Sequence, residues 1–192
     1  MRRIGLLGGT FDPPHAAHVA MARAALAAGL VDEVLVIPAG DPWQKSTSTS
    51  AIDRLAMARI AFADEPYCLV HDLEVVRDGA TYAIATVEAL ASPHVSLHYI
   101  VGSDTLAMLP TWHRISELVQ RCSFLVVKRP GTLVDAPSID GLRVEVVPAD
   151  EMSEASTDIR DDILRTHSQP DGVADGVWQY IVEHGLYGVP HA

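Results

Sequence analysis

Two histidines three positions apart, His15 and His18, close the string Gly8-Gly9-Thr10-Phe11-Asp12-Pro13-Pro14-His15-Ala16-Ala17-His18. On a helix that spacing puts both imidazoles on one face, turned toward one ligand. The apolar run Ile4–Leu7 precedes the string and an alanine-rich helical pattern to Gly29 follows it, so the segment reads as strand, turn and first helical turn. Such a turn exposes backbone N–H groups and the positive end of a helix dipole, a setting that suits phosphate. Gly8 and Gly9 permit close backbone approach, and Pro13-Pro14 stiffen the chain as it enters the helix. Other phosphate and metal chemistries lack their markers: GxxxxGK[ST], GxGxxG and HExxH are absent, and no third ligand stands at metal spacing. The bland alternative is a tight turn with two solvent-facing histidines. The fit of the whole segment to one geometry outweighs it.

The remaining sequence supplies elements to position this turn. Strand candidates are Ile4–Leu7, Val34–Ile37, Leu69–Val70, Leu97–Val101, Phe124–Val127 and Val144–Val147, mostly apolar on both faces, as in a parallel sheet covered on both sides. Helical patterns lie at His15–Ala28, Ile52–Ala63, Tyr82–Ala91, Arg114–Gln120, Thr157–Arg165 and Val173–His184. The alternation predicts an α/β fold with a doubly wound, Rossmann-like parallel sheet flanked by helices, and one domain over residues 1–192. Ligands of such sheets lie beyond the strand C-termini where strand order reverses, and Gly8–His18 falls at the end of the first strand. Gly40–Ser50 and Gly131–Gly141 read as loops.

Acidic residues outnumber basic ones by 25 to 14, for a net charge of −11. That balance argues against nucleic-acid and anionic-membrane partners while leaving room for a small phosphorylated ligand met by a local cluster of donors. No run is long enough for a membrane span and the N-terminus lacks a signal-peptide core, so a cytoplasmic protein is expected. Cys68 and Cys122 have no CxxC spacing and read as free thiols. The basic residues that punctuate motifs are Lys45, Arg54, Arg129 and Arg160.

At this point the chain resembles the HxGH nucleotidyltransferases, and within them the nicotinate-nucleotide adenylyltransferases. Their opening string GG[ST]FDPxHxGH is matched by Gly8 through His18, with Ala17 where glycine is expected. Glu154 through Arg160 resembles their ISSTxIR, with Glu154 and Ala155 as departures. Tyr99–Leu106 and Leu109–Trp112 resemble a strand ending in GxDxL followed by LxxW, and Lys128–Gly131 resembles the strand followed by RPG. Arg54 and Met57 fit RxxM, Glu74–Val87 resembles the ELxRxGx[ST]YTx[DQ]TL stretch with Ala83 and Ala85 as departures, and Gly185-Leu186-Tyr187 echoes a C-terminal GLY.

The resemblance implies transfer of an adenylyl group from ATP to nicotinate mononucleotide, with Mg²⁺ carried mainly by the phosphates and no metal site built from protein ligands. It implies ATP contacts at Gly8, Gly9, Thr10, Phe11, His15, His18, Gly102, Asp104, Arg129, Ser156, Thr157 and Arg160. On the acceptor side it implies Thr10, Lys45, Thr81, Tyr82 and Trp112, the last stacking on the pyridine ring. His18, assisted by His15, would bear on the α-phosphate, while Lys45, Arg129 and Arg160 would hold the acceptor and leaving phosphates. Each has a plainer alternative: Asp104 as a helix cap, Trp112 as core, Ser156 as an N-cap, Lys45 and the arginines as surface charges. Asp12 is read as tying the turn together. Competing activities are an adenylyltransferase acting on nicotinamide mononucleotide, another HxGH transferase, and a degenerate relative that binds nucleotide without turnover. A homo-oligomer is left open.

Overall fold

A computed structural model describes residues 1–44, 46–128, 134–149 and 155–190. In chain order the strands are β1 (Arg2–Gly9), β2 (Glu33–Pro38), β3 (Asp41–Pro42), β4 (Cys68–Val70), β5 (Ala80–Thr81), β6 (Val95–Gly102), β7 (Ser123–Lys128) and β8 (Val144–Pro148). The helices are α1 (Ala16–Ala27), α2 (Ala51–Ala61), α3 (Ala83–Leu90), α4 (Ser103–Met108), α5 (Ile115–Arg121), α6 (Ser156–Thr166) and α7 (Asp175–Glu183). Six strands form the central sheet in the order β4-β2-β1-β6-β7-β8, every neighbouring pair parallel.

The runs of Val, Ile and Leu form this sheet because both of its faces are covered. Alternate residues of one strand enter opposite cores: Leu6, Leu35, Ile37, Phe124 and Val126 join one cluster, whereas Leu7, Val34, Val36, Leu125 and Val127 join the other. A third cluster, built on Met57, Ile159, Ile163, Val177 and Ile181, joins α2, α6 and α7. Strand order reverses between β1 and β6. The glycine turn after β1 and the Gly102–Asp104 turn into α4 therefore flank one crevice.

All six expected strands of the sheet are present, with the edge strands β4 and β8 departing from the two-sided pattern: Leu69 and Val146 are largely exposed. Two features lay outside the expectation. Asp41–Pro42, inside the anticipated loop, pairs with Ala80–Thr81 as a two-residue parallel ribbon, and α4 follows β6 directly. Both are too short for periodicity to reveal. No helix among the described residues is long and apolar enough to cross a membrane.

Candidate active site

The site begins where β1 ends. Phe11 takes a left-handed backbone conformation (φ 52°) and buries its ring fully, turning the chain away from the sheet. His15 is the N-cap of α1 and His18 lies one turn on, with ring centroids 3.9 Å apart. The His15 N–H donates to His18 Nδ1 at 3.3 Å, and the Phe11 ring supports the His18 imidazole at a centroid distance of 4.7 Å. Because Nδ1 accepts, a neutral His18 ring carries its proton on Nε2. Other amides at the start of α1 are already engaged: Ala16 N–H donates to Gly172 O at 2.8 Å and His18 N–H to His15 O at 2.9 Å. The N–H groups of Ala16 and His18 are thus used within the protein, while among the described residues no such bond at the helix start comes from Ala17.

Asp12 is 1% exposed and ties the turn together. Its carboxylate accepts from Ser48 N–H at 2.6 Å, Thr49 Oγ1 at 2.7 Å and Tyr187 Oη at 2.7 Å. The start of α6 docks on the same turn. Arg160 Nη1 donates to Asp12 O at 2.8 Å, Arg160 Nη2 to Thr157 Oγ1 at 3.4 Å, and Ser156 Oγ to Pro13 O at 3.0 Å. The structure thus brings Thr10, Phe11, His15, His18, Ser156, Thr157 and Arg160 into one assembly, although their sequence motifs lie more than a hundred residues apart.

Arg54 is the buried partner beneath this assembly. Its guanidinium donates to Thr10 O at 2.9 Å, Ala39 O at 2.6 Å and Gly40 O at 2.9 Å, with Nε reaching Thr49 O at 3.4 Å. It therefore clamps the start of the 40–50 loop to the histidine turn. Burial lowers its pKa from the ordinary arginine value, opposed by the nearby Asp12 and Tyr187. Sequence reasoning registered Arg54 only as part of RxxM spacing; a charged residue inside an amphipathic helix carries no local sign of its acceptors.

The second half of the crevice is aromatic. Trp112 is half-buried and stands edge-on to Tyr99 (5.3 Å, 78°) and Phe124 (6.3 Å, 66°). Its Nε1 is buried and has no hydrogen-bond partner among the described residues. Tyr82 packs between Trp43 (5.8 Å) and His113 (4.3 Å). Tyr99 links the two halves: a Cβ at Gly8 would stand 2.5 Å from its hydroxyl, so only glycine fits there. At Gly102 a Cβ would meet nothing within 4 Å, so this strand end faces open space. Asp104 follows, exposed, in the first turn of α4. Thr81 is buried and donates to Asp41 O at 3.0 Å, holding β5 against β3. Beneath the aromatic side, the Thr86 hydroxyl donates to the Glu74 carboxylate, whose pKa burial raises despite that bond. Ala17 packs its methyl into the sheet-facing core. Lys45, Arg129 and Glu154 lie outside the described residues. Among the described residues no three His, Cys, Asp or Glu side chains group to hold a metal ion.

A parallel sheet with a glycine turn and paired histidines at its reversal point defines the nucleotidyltransferase class, and residues 6–162 match the cytidylyltransferase-like family. The probable nicotinate-nucleotide adenylyltransferase of Bordetella avium is 38% identical over 195 residues, spanning 97% of this chain and 98% of that protein. The probable enzyme of the same name from Halalkalibacterium halodurans is 40% identical over 192 residues, spanning 97% and 92%. The Plasmodium falciparum nicotinic acid mononucleotide adenylyltransferase complexed with NaAD superposes with a TM-score of 0.78 over 99% of both chains, at 20% identity, and shares the fold. The chain belongs to the nicotinate-nucleotide adenylyltransferase family.

Proposed function

We propose that the protein transfers the adenylyl group of ATP to the 5′-phosphate of nicotinate mononucleotide, releasing pyrophosphate and forming deamido-NAD. The observation that carries this reading is the oriented histidine pair at the sheet's reversal point, in a chain matched end to end by relatives bearing that activity's name. A phosphate oxygen of the acceptor attacks the α-phosphorus of ATP and the bond to the β-phosphate oxygen breaks. No protein nucleophile is required. The side chains act by alignment and by stabilising charge that grows on phosphoryl oxygens.

In this reading His18 Nε2–H donates to the α-phosphate oxygens, the direction set by the bond its Nδ1 accepts from His15. His15 assists from the helix cap, and Gly8, Gly9, Thr10 and Phe11 shape the floor on which ATP lies. Ser156, Thr157 and Arg160 receive the leaving phosphates at the start of α6, with Lys45 and Arg129 adding charge. Gly102 and Asp104 take the adenosine side, where the strand end is open. Thr81, Tyr82 and Trp112 form the pyridine side, where an electron-poor ring can stack among aromatics. Mg²⁺ neutralises phosphate charge when bound, and hard oxygen ligands from the triphosphate suit it better than this donor set.

The test is pyrophosphate release from ATP and Mg²⁺, with nicotinate and nicotinamide mononucleotides assayed side by side. Release with the nicotinate compound is expected. ATP binding without release from either would refute the reading in favour of a non-catalytic relative.

A further inference from the structure

The C-terminal Gly185-Leu186-Tyr187 segment takes no part in the proposed chemistry, yet it reaches the histidine turn. We infer that Tyr187 is a positioning residue for this site: its hydroxyl, acting through the Asp12 carboxylate, holds the histidine turn and the neck of the 40–50 loop in mutual register. The inference rests on the proposed adenylyl transfer for its consequence on rate.

Three observations support it. First, Tyr187 Oη and Thr49 Oγ1 each donate to the same Asp12 oxygen at 2.7 Å, while Ser48 N–H donates to the other at 2.6 Å. One carboxylate thus joins the histidine turn, the loop neck and a residue 175 positions away. Second, the backbone bends to deliver this ring. Tyr187 itself is left-handed (φ 55°, ψ 30°), two residues after a left-handed cap at Gly185 (φ 59°). A bulky residue adopts that conformation only where surrounding contacts hold it. Third, the C-terminal region makes a separate tie to the same place, since Gly172 O accepts from Ala16 N–H at the first residue of α1. Burial and the Asp12 charge raise the phenol's pKa, so it remains a donor throughout the working range. The charged groups facing Asp12 are Arg54 from α2 and Arg160 from α6; both would stay in place without the phenol.

The molecule contains its own control. Tyr180 Oη donates to Asp53 Oδ1 at 3.0 Å, so the same C-terminal region spends a second tyrosine–aspartate bond on α2. Asp53 is bonded to Ser50 in the helix cap, not to the histidine turn. Tyr187→Phe and Tyr180→Phe each remove one hydroxyl and keep the ring. Both should lower Tm by about 2–4 °C, the shift for one hydrogen bond in a chain of this size. Only Tyr187→Phe should lower kcat, by about 10–100-fold, with KM for ATP changed less than kcat, as expected when alignment rather than ground-state binding is lost. Thr49→Val, which removes the other donor from the same oxygen, should lower kcat in the same direction. Amide hydrogen exchange at Ser48 should quicken in Tyr187→Phe and stay at the wild-type rate in Tyr180→Phe. Equal kinetic losses in the two tyrosine variants, or unchanged Ser48 exchange in Tyr187→Phe, would overturn the inference. Wild-type protein that releases no pyrophosphate would sink the proposed reaction instead, and the exchange comparison would still decide whether Tyr187 positions the turn.

Discussion

Replacing Arg54 with methionine tests whether the histidine turn is held from below. Methionine keeps part of the aliphatic volume but cannot donate, so the carbonyls of Thr10, Ala39 and Gly40 lose donors that stand at 2.6–2.9 Å. The Thr49 contact at 3.4 Å is too long to count for much. An orphaned buried carbonyl costs about 1–3 kcal/mol. These three lie on half-buried residues, so the lower end applies and the total is about 3 kcal/mol. For a chain of this length that corresponds to a Tm lower by about 6–12 °C. Arg54→Lys should fall between, since one ammonium cannot reproduce a planar fork spanning three acceptors. Thermal and urea unfolding measure the loss, and pyrophosphate release at a temperature where the lysine variant stays folded should show a lower kcat, because Thr10 is no longer fixed. A methionine variant melting within about 3 °C of wild type would refute the reasoning, since the carbonyls would then be satisfied without the guanidinium.

His18→Ala should lower kcat by roughly 10²–10³, the usual cost of one preorganised donor, while Tm falls by less than about 4 °C; a kcat within tenfold of wild type would remove His18 from the reaction. Gly102→Ala should leave stability unchanged, because its Cβ meets nothing within 4 Å, yet raise KM for ATP by about tenfold through contact with the nucleotide. Gly8→Ala should instead destabilise by about 1–3 kcal/mol, since its Cβ would press on the Tyr99 hydroxyl at 2.5 Å; ATP titrations and melts of the pair separate the two cases. Glu74 has a folded pKa raised above the ordinary value of 4.5, so the stability tied to its protonated form is full below that value and is lost as pH rises through the folded pKa. Glu74→Gln should therefore gain on wild type in urea unfolding as pH rises above the ordinary value of 4.5, and a difference that does not change with pH would contradict the burial argument.

What could be read from the sequence was local. The strand at Ile4–Leu7 and the turn after it announce themselves through hydrophobic run, glycine pair and proline, all within a few residues. Paired imidazoles three positions apart needed only helical geometry to be placed on one face. The four inner strands were legible because two-sided burial demands runs of Val, Ile and Leu, and the two edge strands because short apolar runs stand at the expected spacing. What could not be read was the support. Asp12 suggests its tying role by standing in the turn, but nothing in the sequence pairs it with Tyr187 or Ser48. Arg54 meets backbone carbonyls, which every residue possesses, so no partner identity marks it. α4 and the β3–β5 ribbon owe their conformations to tertiary contacts and are shorter than any period that would betray them.

The occupied amides at the start of α1 bear on how a protein of net charge −11 handles polyanionic substrates. His15, Ala16 and His18 N–H groups already donate within the protein, to His18 Nδ1, Gly172 O and His15 O respectively. Three of the four amides from His15 to His18 are therefore used within the protein, and the dipole alone supplies a modest, screened attraction. In the proposed reaction, side chains fixed in place would carry more of the phosphate contact: an imidazole with its proton directed by its neighbour and an Arg160 guanidinium anchored on Asp12 O. Such groups are few, and each depends on a bond made by a residue far along the chain. That dependence explains why Asp12 is buried with three donors rather than left to solvent. If the turn relaxed, the same amides would reopen but the imidazoles would lose their direction. In this architecture the framework bonds to Asp12 and His18 fix where the imidazole and the Arg160 guanidinium stand, which is where the proposed reaction would need them.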